Sequence, residues 1–341
     1  MSRKASTLRR RVFGLALGAG VVATTVVPAA PSALATTKPI SIAFFGFASN
    51  NSFTQAGWSG VEKAAKQYGA TAHFFNGNFD GATQDDQVES ATTEHKYNVF
   101  VIEAYDSVSM AAYAKRAAQE GNAVVAEYAP IGPSFSTVAA QVPGILSVVD
   151  VPTHNGKILG QMGVAACKSL NPCQVAFLVG NPTSPLDVAR TNEAYAVLNA
   201  DKKIQLVAKP VAGYTQSNGS TVTEQLLAAH PNVNVIIGSS QAIEGAQKVV
   251  QAKGLLKKIA LIGNGGSFQA VSAVEAGQWY GTYYIDEPLN SYTATKYAIE
   301  KYMGQKVPTA VNSATLGPVG QAQGALTSAN DKGVKGSYTD Y

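Results

Sequence analysis

Several apolar runs in this chain end in a polar or aromatic group, and those ends are where it could do chemistry. Val99-Phe100-Val101-Ile102 ends in Glu103, with Tyr105 and Asp106 close behind; Ala123–Ala126 ends in Glu127 and Tyr128. A carboxylate closing an otherwise apolar run must be paired or used. Phe47, Asn51 and Phe53 follow the first run, Ile40–Phe45, and in the second half the corresponding positions are Asn181, Arg190, Tyr214, Ser239, Ser240, Asn264 and Asp286. Carboxylates and amides satisfy hydroxyls, Arg supplies fixed donors, and aromatic rings cover C–H faces, so the set suits a small polar solute such as a sugar. A charge-assisted bond adds more than a neutral one. Each position also has a structural alternative. Asn51, Asp106 and Ser240 could cap helices, Phe47 and Phe53 could be core, Arg190 could be a surface charge, and Asp286 could belong to a hinge. Trp58 is expected to pack on the first helix.

Recognisable catalytic chemistry is missing. There is no Walker A motif, no G-x-S-x-G elbow, no HExxH and no CxxC, and Gly263-Asn264-Gly265-Gly266 lacks dinucleotide-loop spacing. His73, His95, His154 and His230 form no metal-like pair. No catalytic residue, cofactor or metal site is expected, and a binding protein is favoured over an enzyme. Cys167 and Cys173 flank Lys-Ser-Leu-Asn-Pro; in an exported chain a disulfide is expected, with two free thiols as the alternative.

Strand-length apolar runs alternate with helical spacing along the chain. Strands are expected at Ile40–Phe45, Thr71–Phe75, Asn98–Glu103, Ala123–Glu127, Ile145–Val149, Val175–Val179, Gln205–Lys209, Val233–Ile237, Ile259–Ile262 and Tyr280–Ile285. Nine helices fall between or after them, from Phe53–Tyr68 to Asn290–Met303. Capping boxes at Ser52-x-x-Gln55 and Thr221-x-x-Glu224 are expected to open two of them, and Gly69 and Gly121 sit where helices end. A loop over Ala129–Gly144 divides two such series, which describe two doubly wound α/β, Rossmann-like parallel-sheet lobes.

The 341 residues fit two domains; charged residues are 14% and hydrophobic ones 46%. The net charge of +4 belongs to the N-terminus. Arg3, Lys4, Arg9, Arg10 and Arg11 precede residue 36 with no acid among them, leaving 21 basic and 22 acidic residues, a net of −1. A nucleic-acid surface is therefore disfavoured. Residues 1–35 run basic, apolar, then Ala33-Leu34-Ala35, which reads as a signal peptide cleaved near Ala35. Arg10-Arg11 leaves Sec and twin-arginine export both open. No Cys lies near that site, so no lipid anchor is expected there.

Ile42-Ala43-Phe44-Phe45 followed by Asn50-Asn51-Ser52-Phe53, then Tyr105-Asp106-Ser107, Gly156-Lys157-Ile158-Leu159-Gly160 and Leu226–Pro231 before Val233–Ile237, carry a resemblance. Over most of residues 38–316 the chain resembles type I periplasmic substrate-binding proteins of the ribose- and galactose-binding branch that serve ABC importers. The resemblance implies three crossings between lobes, near Val149–Pro152, Tyr284–Pro288 and Lys306–Thr315. It gives a first lobe of 36–150 plus 287–310 and a second of 151–286 plus 311–320. Residues 321–341 are left as a polar tail. It further implies ligand between lobes that close by hinging, delivery to a membrane permease, and a monomer. Arg190 falls within a residue of the family's binding Arg, and Tyr214 matches its second-domain aromatic. Glu127-Tyr128 stands where the sugar binders carry Asp-Arg, Asn264 where they carry Asp, and Ser240 where they carry Asn. A carbohydrate or polyol is therefore expected, though not plain ribose, galactose or glucose; the alternative is a nucleoside, an autoinducer-like signal or an aromatic acid, with a sensory-receptor role. Repressors of this fold need an N-terminal DNA-binding domain, and a signal peptide occupies that place. Replacing Glu103 or Arg190 by Ala is expected to abolish ligand binding with little effect on melting.

Overall fold

The computed structural model describes residues 39–341; the export signal expected over residues 1–35 lies outside the described residues. The chain runs β1 (Ser41–Gly46), α1 (Ser52–Tyr68), β2 (Thr71–Asn76), α2 (Gly81–Glu94), β3 (Val99–Ile102), α3 (Met110–Gln119), β4 (Ala123–Tyr128) and β5 (Leu146–Val149). It continues with α4 (Pro152–Ala166), β6 (Cys173–Phe177), α5 (Pro185–Ala200), β7 (Ile204–Ala208), α6 (Gln216–Ala229), β8 (Val235–Ile237), α7 (Ser240–Ala252), β9 (Ala260–Asn264), α8 (Phe268–Glu275) and β10 (Gly281–Tyr283). It closes with α9 (Glu287–Tyr302), β11 (Ala310–Asn312) and β12 (Ala325–Thr327).

The strands form two six-stranded sheets, ordered β11-β5-β4-β3-β1-β2 and β12-β10-β9-β8-β6-β7. Every pairing is parallel except β12 against β10. Helices cover both faces of such sheets, which is why β1, β3 and β4 are near-continuous apolar runs rather than alternating ones. Both sheets are doubly wound, as the alternation of runs implies. The strand order turns back at β1 in one sheet and at β6 in the other, and ligands bind outside the carboxyl ends of strands at such points. The chain passes between sheets after β5, after β10 and after β11.

Three local expectations are corrected. The cap of α1 is Asn51, whose Oδ1 accepts the Thr54 N–H at 3.0 Å; Ser52 is inside the helix, its hydroxyl free for another partner. Helix α6 starts at Gln216, capped by Thr215, and not at Thr221. Its Ser-Asn-Gly-Ser stretch looks like loop, yet a Cβ on Gly219 would stand 2.2 Å from Ala242 O. That glycine lets α6 lie against α7, and tertiary contact overrides its poor helix propensity. The expected polar tail is ordered: β12 extends the second sheet, and Tyr338 bridges to Ser267, its carbonyl accepting the Phe268 N–H at 2.7 Å.

Cys167 and Cys173 form a disulfide that ties the end of α4 to the start of β6. The two tryptophans fall one to each lobe. Trp58 on α1 packs on Phe44 and Phe74, as expected, at centroid distances of 5.9 and 5.6 Å. Trp279 is buried ahead of β10 and its indole donates to Gln247 Oε1 at 2.7 Å. Among the described residues no helix is long and apolar enough to cross a membrane.

Candidate functional site

A cavity of about 50 Å³ opens between the carboxyl ends of the two sheets. Phe47, Asn51, Phe53, Phe79, Tyr105 and Tyr128 line it from the first lobe. Ser184, Leu186, Asp187, Arg190, Tyr214, Gln241, Asn264 and Ile285 line it from the second. It holds only a few water-sized volumes.

The first wall is built on loops that one buried amide holds together. Gln84 of α2 donates to Phe45 O (3.2 Å) and Glu103 O (2.9 Å) and accepts the Tyr105 N–H (2.9 Å). Phe47 N–H donates to Glu103 Oε2 at 2.9 Å, and Phe79 N–H to Phe47 O at 2.8 Å. Tyr128 has φ of 54°, a left-handed conformation that costs a non-glycine residue. That turn places its ring 4.6 Å from Phe53 and its hydroxyl in the cleft.

The second wall turns on an ion pair that the sequence reading missed. Asp187, in the first turn of α5, pairs with Arg190 at 3.0 Å and accepts the Asn181 N–H at 2.7 Å. It also accepts the Tyr214 hydroxyl at 2.5 Å. Burial, reinforced by Asp187, pushes the Tyr214 hydroxyl well above its ordinary pKa, so it stays a neutral donor. Arg190 reaches across the cleft to Tyr128 Oη at 2.7 Å, and its Nε has no partner although the residue is only 5% exposed. Asn264 Oδ1 accepts from Asn155 of α4 at 3.2 Å.

Eight of the expected positions thus share one cavity: Phe47, Asn51, Phe53, Tyr105, Tyr128, Arg190, Tyr214 and Asn264. The other seven do not line it, although Ser239 and Asn181 border adjoining hollows that share its Tyr214 wall. Asp106 accepts the Val108 and Ser109 N–H groups ahead of α3. Ser239 caps α7, and Asp286 caps α9 through the Leu289 N–H at 3.2 Å. Asn181 is at the rim, donating to the Tyr105 hydroxyl. Glu103 and Glu127 are fully buried behind the first wall with Glu287. Burial raises the pKa of all three, Glu127 to about 7. Ser240 turns from the cavity and donates to Asp340 Oδ2 at 2.6 Å.

Asp340 also accepts the Ser52 hydroxyl at 2.7 Å. Its carboxylate therefore bridges α1 of the first lobe and α7 of the second, while Tyr338 lies edge-on to Phe53 with centroids 5.9 Å apart. Polar, Gly-rich surroundings hide both residues in the sequence.

Known proteins resemble this chain in sequence and fold. Residues 42–306 match the family described as periplasmic binding protein domain. The ribose import binding protein RbsB of Bacillus subtilis (strain 168) is 25% identical over 288 residues, covering 84% of this chain and 89% of that protein. An ABC transporter periplasmic solute binding protein from Actinobacillus succinogenes 130z, solved with bound D-allose, aligns with a TM-score of 0.71 at 20% identity, over 86% of this chain and 99% of that one. An ABC transporter solute binding protein from Mycobacterium smegmatis, solved with bound glycerol, gives 0.71 at 20% identity, over 89% of this chain and 99% of that one. With two doubly wound lobes meeting at an aromatic-walled cavity, the chain belongs to the periplasmic binding proteins of type I.

Proposed function

We propose that the protein is an exported solute receptor of an ABC importer that binds a carbohydrate or polyol between its lobes and hands it to a membrane permease. The observation that carries this is the cavity's chemistry. Aromatic faces surround a buried guanidinium whose Nε–H is unsatisfied, with the amides of Asn51, Gln241 and Asn264 at its edges. A hydroxylated ring presents the complement, C–H faces for the rings and oxygens for the donors. The relatives named above, whose ligands include D-allose and glycerol, support the same class. In this reading the lobes part about their three connections and close on the solute, because only the closed form lets it touch both walls. The protein acts as a monomer and turns nothing over.

A second reading rests on Phe79 and Tyr214. Their rings face each other from opposite lobes, 6.3 Å apart and 12° from parallel. A modest parting would make a slot for a planar ring, which favours a nucleoside or an aromatic acid. A thermal-shift screen over sugars, polyols, nucleosides and aromatic acids separates the two. A ligand at about 100 times its Kd stabilises by roughly 2.7 kcal/mol, a shift of several degrees. A response confined to sugars or polyols supports the first reading. One confined to planar compounds replaces it with the second, and turnover of a hit would overturn both.

A further inference from the structure

Three carboxyls from three elements meet under the loop that carries Phe47: Glu103 after β3, Glu127 in β4 and Glu287 in the first turn of α9. All are fully buried, and one oxygen from each lies within 4.8 Å of the others. Each makes one short-range bond. Glu103 Oε2 accepts from Phe47 N, Glu127 Oε1 from Asn290 Nδ2, and Glu287 Oε1 from Ser291 Oγ at 3.2 Å. The second oxygen of every carboxyl has no partner. Neither do Thr54 Oγ1, which lies against the Glu103 carboxyl, and Asn290 Oδ1. Thr54 is 0% and Asn290 1% exposed. Five buried oxygens of these neighbouring residues therefore lack a hydrogen-bond partner.

Nothing cationic balances them. Among the described residues the ion pairs are Arg116–Glu89, Arg190–Asp187 and Lys296–Glu300, all elsewhere. Three ionised carboxylates so close would repel one another strongly in a dry interior, so protons or a cation must neutralise them. Gly57 lets α1 lie close against this cluster: a Cβ there would stand 2.9 Å from Ser291 Oγ and 3.0 Å from Glu287 Oε1.

We propose that Glu103, Glu127 and Glu287, with Thr54 and Asn290, form a site for a divalent cation of calcium size. The donor set is oxygen only, which selects a hard cation over zinc or copper. Magnesium dehydrates reluctantly and usually keeps several waters, so a buried donor set made of protein oxygens favours calcium over it. Such an ion ties the Phe47 loop, through Glu103, to the start of α9, where the chain re-enters the first lobe. It acts as a structural clip under the cleft wall, and the site does not depend on which solute the cleft takes. Because the ligands are buried, the ion loads as the chain folds.

The test unfolds the purified protein in guanidinium with a chelator and refolds it in CaCl2, in MgCl2 or in chelator. After desalting, bound metal is counted by plasma emission and melting is followed by calorimetry. One retained calcium per chain, with melting raised by several degrees over the chelator sample and less by magnesium, is the expected result. E127Q and E103Q should each fold and lose the retained calcium. If the parent retains none and melts alike in all three, the carboxyls are neutralised by protons and the proposal fails. It fails equally if both variants retain calcium as the parent does, since the ion then sits elsewhere.

Discussion

Removing the bond between Ser52 and Asp340, neither of which lines the cavity, should loosen the lobes. The Ser52 hydroxyl belongs to α1 in the first lobe. Asp340 is fastened to the second by Ser240 and by a pair of bonds with Gln269, at 2.8 and 3.2 Å. The bond is buried and charge-assisted, so it contributes about 1.5–3 kcal/mol. It exists only while the lobes touch, so its loss shifts the balance between touching and parted lobes by about 10- to 150-fold. Single substitutions disturb more than this bond. Ser52→Ala also removes the hydroxyl that accepts from Gln241 at 3.2 Å. Asp340→Ala removes the Ser240 bond and relieves the crowding of Glu244. A double-mutant cycle isolates the pair, and denaturant unfolding should return a coupling of at least about 1 kcal/mol. Small-angle scattering of the ligand-free single variants should show a larger radius of gyration than the parent. A coupling under about 0.5 kcal/mol with unchanged scattering would refute the reasoning, because the bridge would then be an ornament of already docked lobes.

Three further outcomes follow from the same geometry. In Gly156→Ala the new Cβ would stand 2.0 Å from Arg190 O; calorimetry should show a loss of about 1–3 kcal/mol from overpacking, and solute affinity should fall as α5 shifts. Burial and Asp340 push the Glu244 carboxyl up to about 9 from 4.5. The folded chain therefore holds a proton that the unfolded chain releases, and this contribution is complete below pH 4.5 and is lost as pH rises toward 9. The melting temperature of the parent should fall relative to Glu244→Gln between pH 5 and 9, and a constant difference would contradict the assignment. Replacing both Cys167 and Cys173 by Ala opens a short loop, six residues apart in sequence, and should cost about 2 kcal/mol of unfolding free energy, read as a melting point lower by a few degrees.

The fold was legible because a parallel sheet covered on both faces leaves continuous apolar runs, and all ten strands expected from such runs are present. β11 and β12 were not: three residues each, at sheet edges, they carry no run to read. The cavity was half legible. Phe47, Tyr105, Tyr128 and Asn264, at or just after strand ends, line the cavity because strand ends converge there, whereas Glu103, Ser239 and Asp286 follow strands too and do not. Asp187 was missed because an acid three residues before an arginine on a helix looks like an ordinary surface pair, and only burial shows otherwise. Burial also changes the expectation for Arg190→Ala. Its loss would leave Asp187 as a buried charge without a cation, which costs about 3–5 kcal/mol, so melting should fall along with binding. Glu103 and Glu127 stand out in the sequence as carboxylates that close apolar runs, but Glu287, which meets them, is far off in sequence and sits just behind Asp286, which drew the attention at the end of the Tyr280–Ile285 run.

The placing of the two tryptophans gives the molecule an optical division of labour. Trp58 is set in the first lobe and Trp279 in the second, and neither lines the cavity. Indole emission therefore reports the integrity of the lobes and is nearly blind to what fills the space between them. With Trp279→Phe only the first lobe remains luminous, and with Trp58→Phe only the second. A single chain thus offers separate views of how each half unfolds, while solute titrations followed by the same light would return a flat line even from a protein that binds tightly.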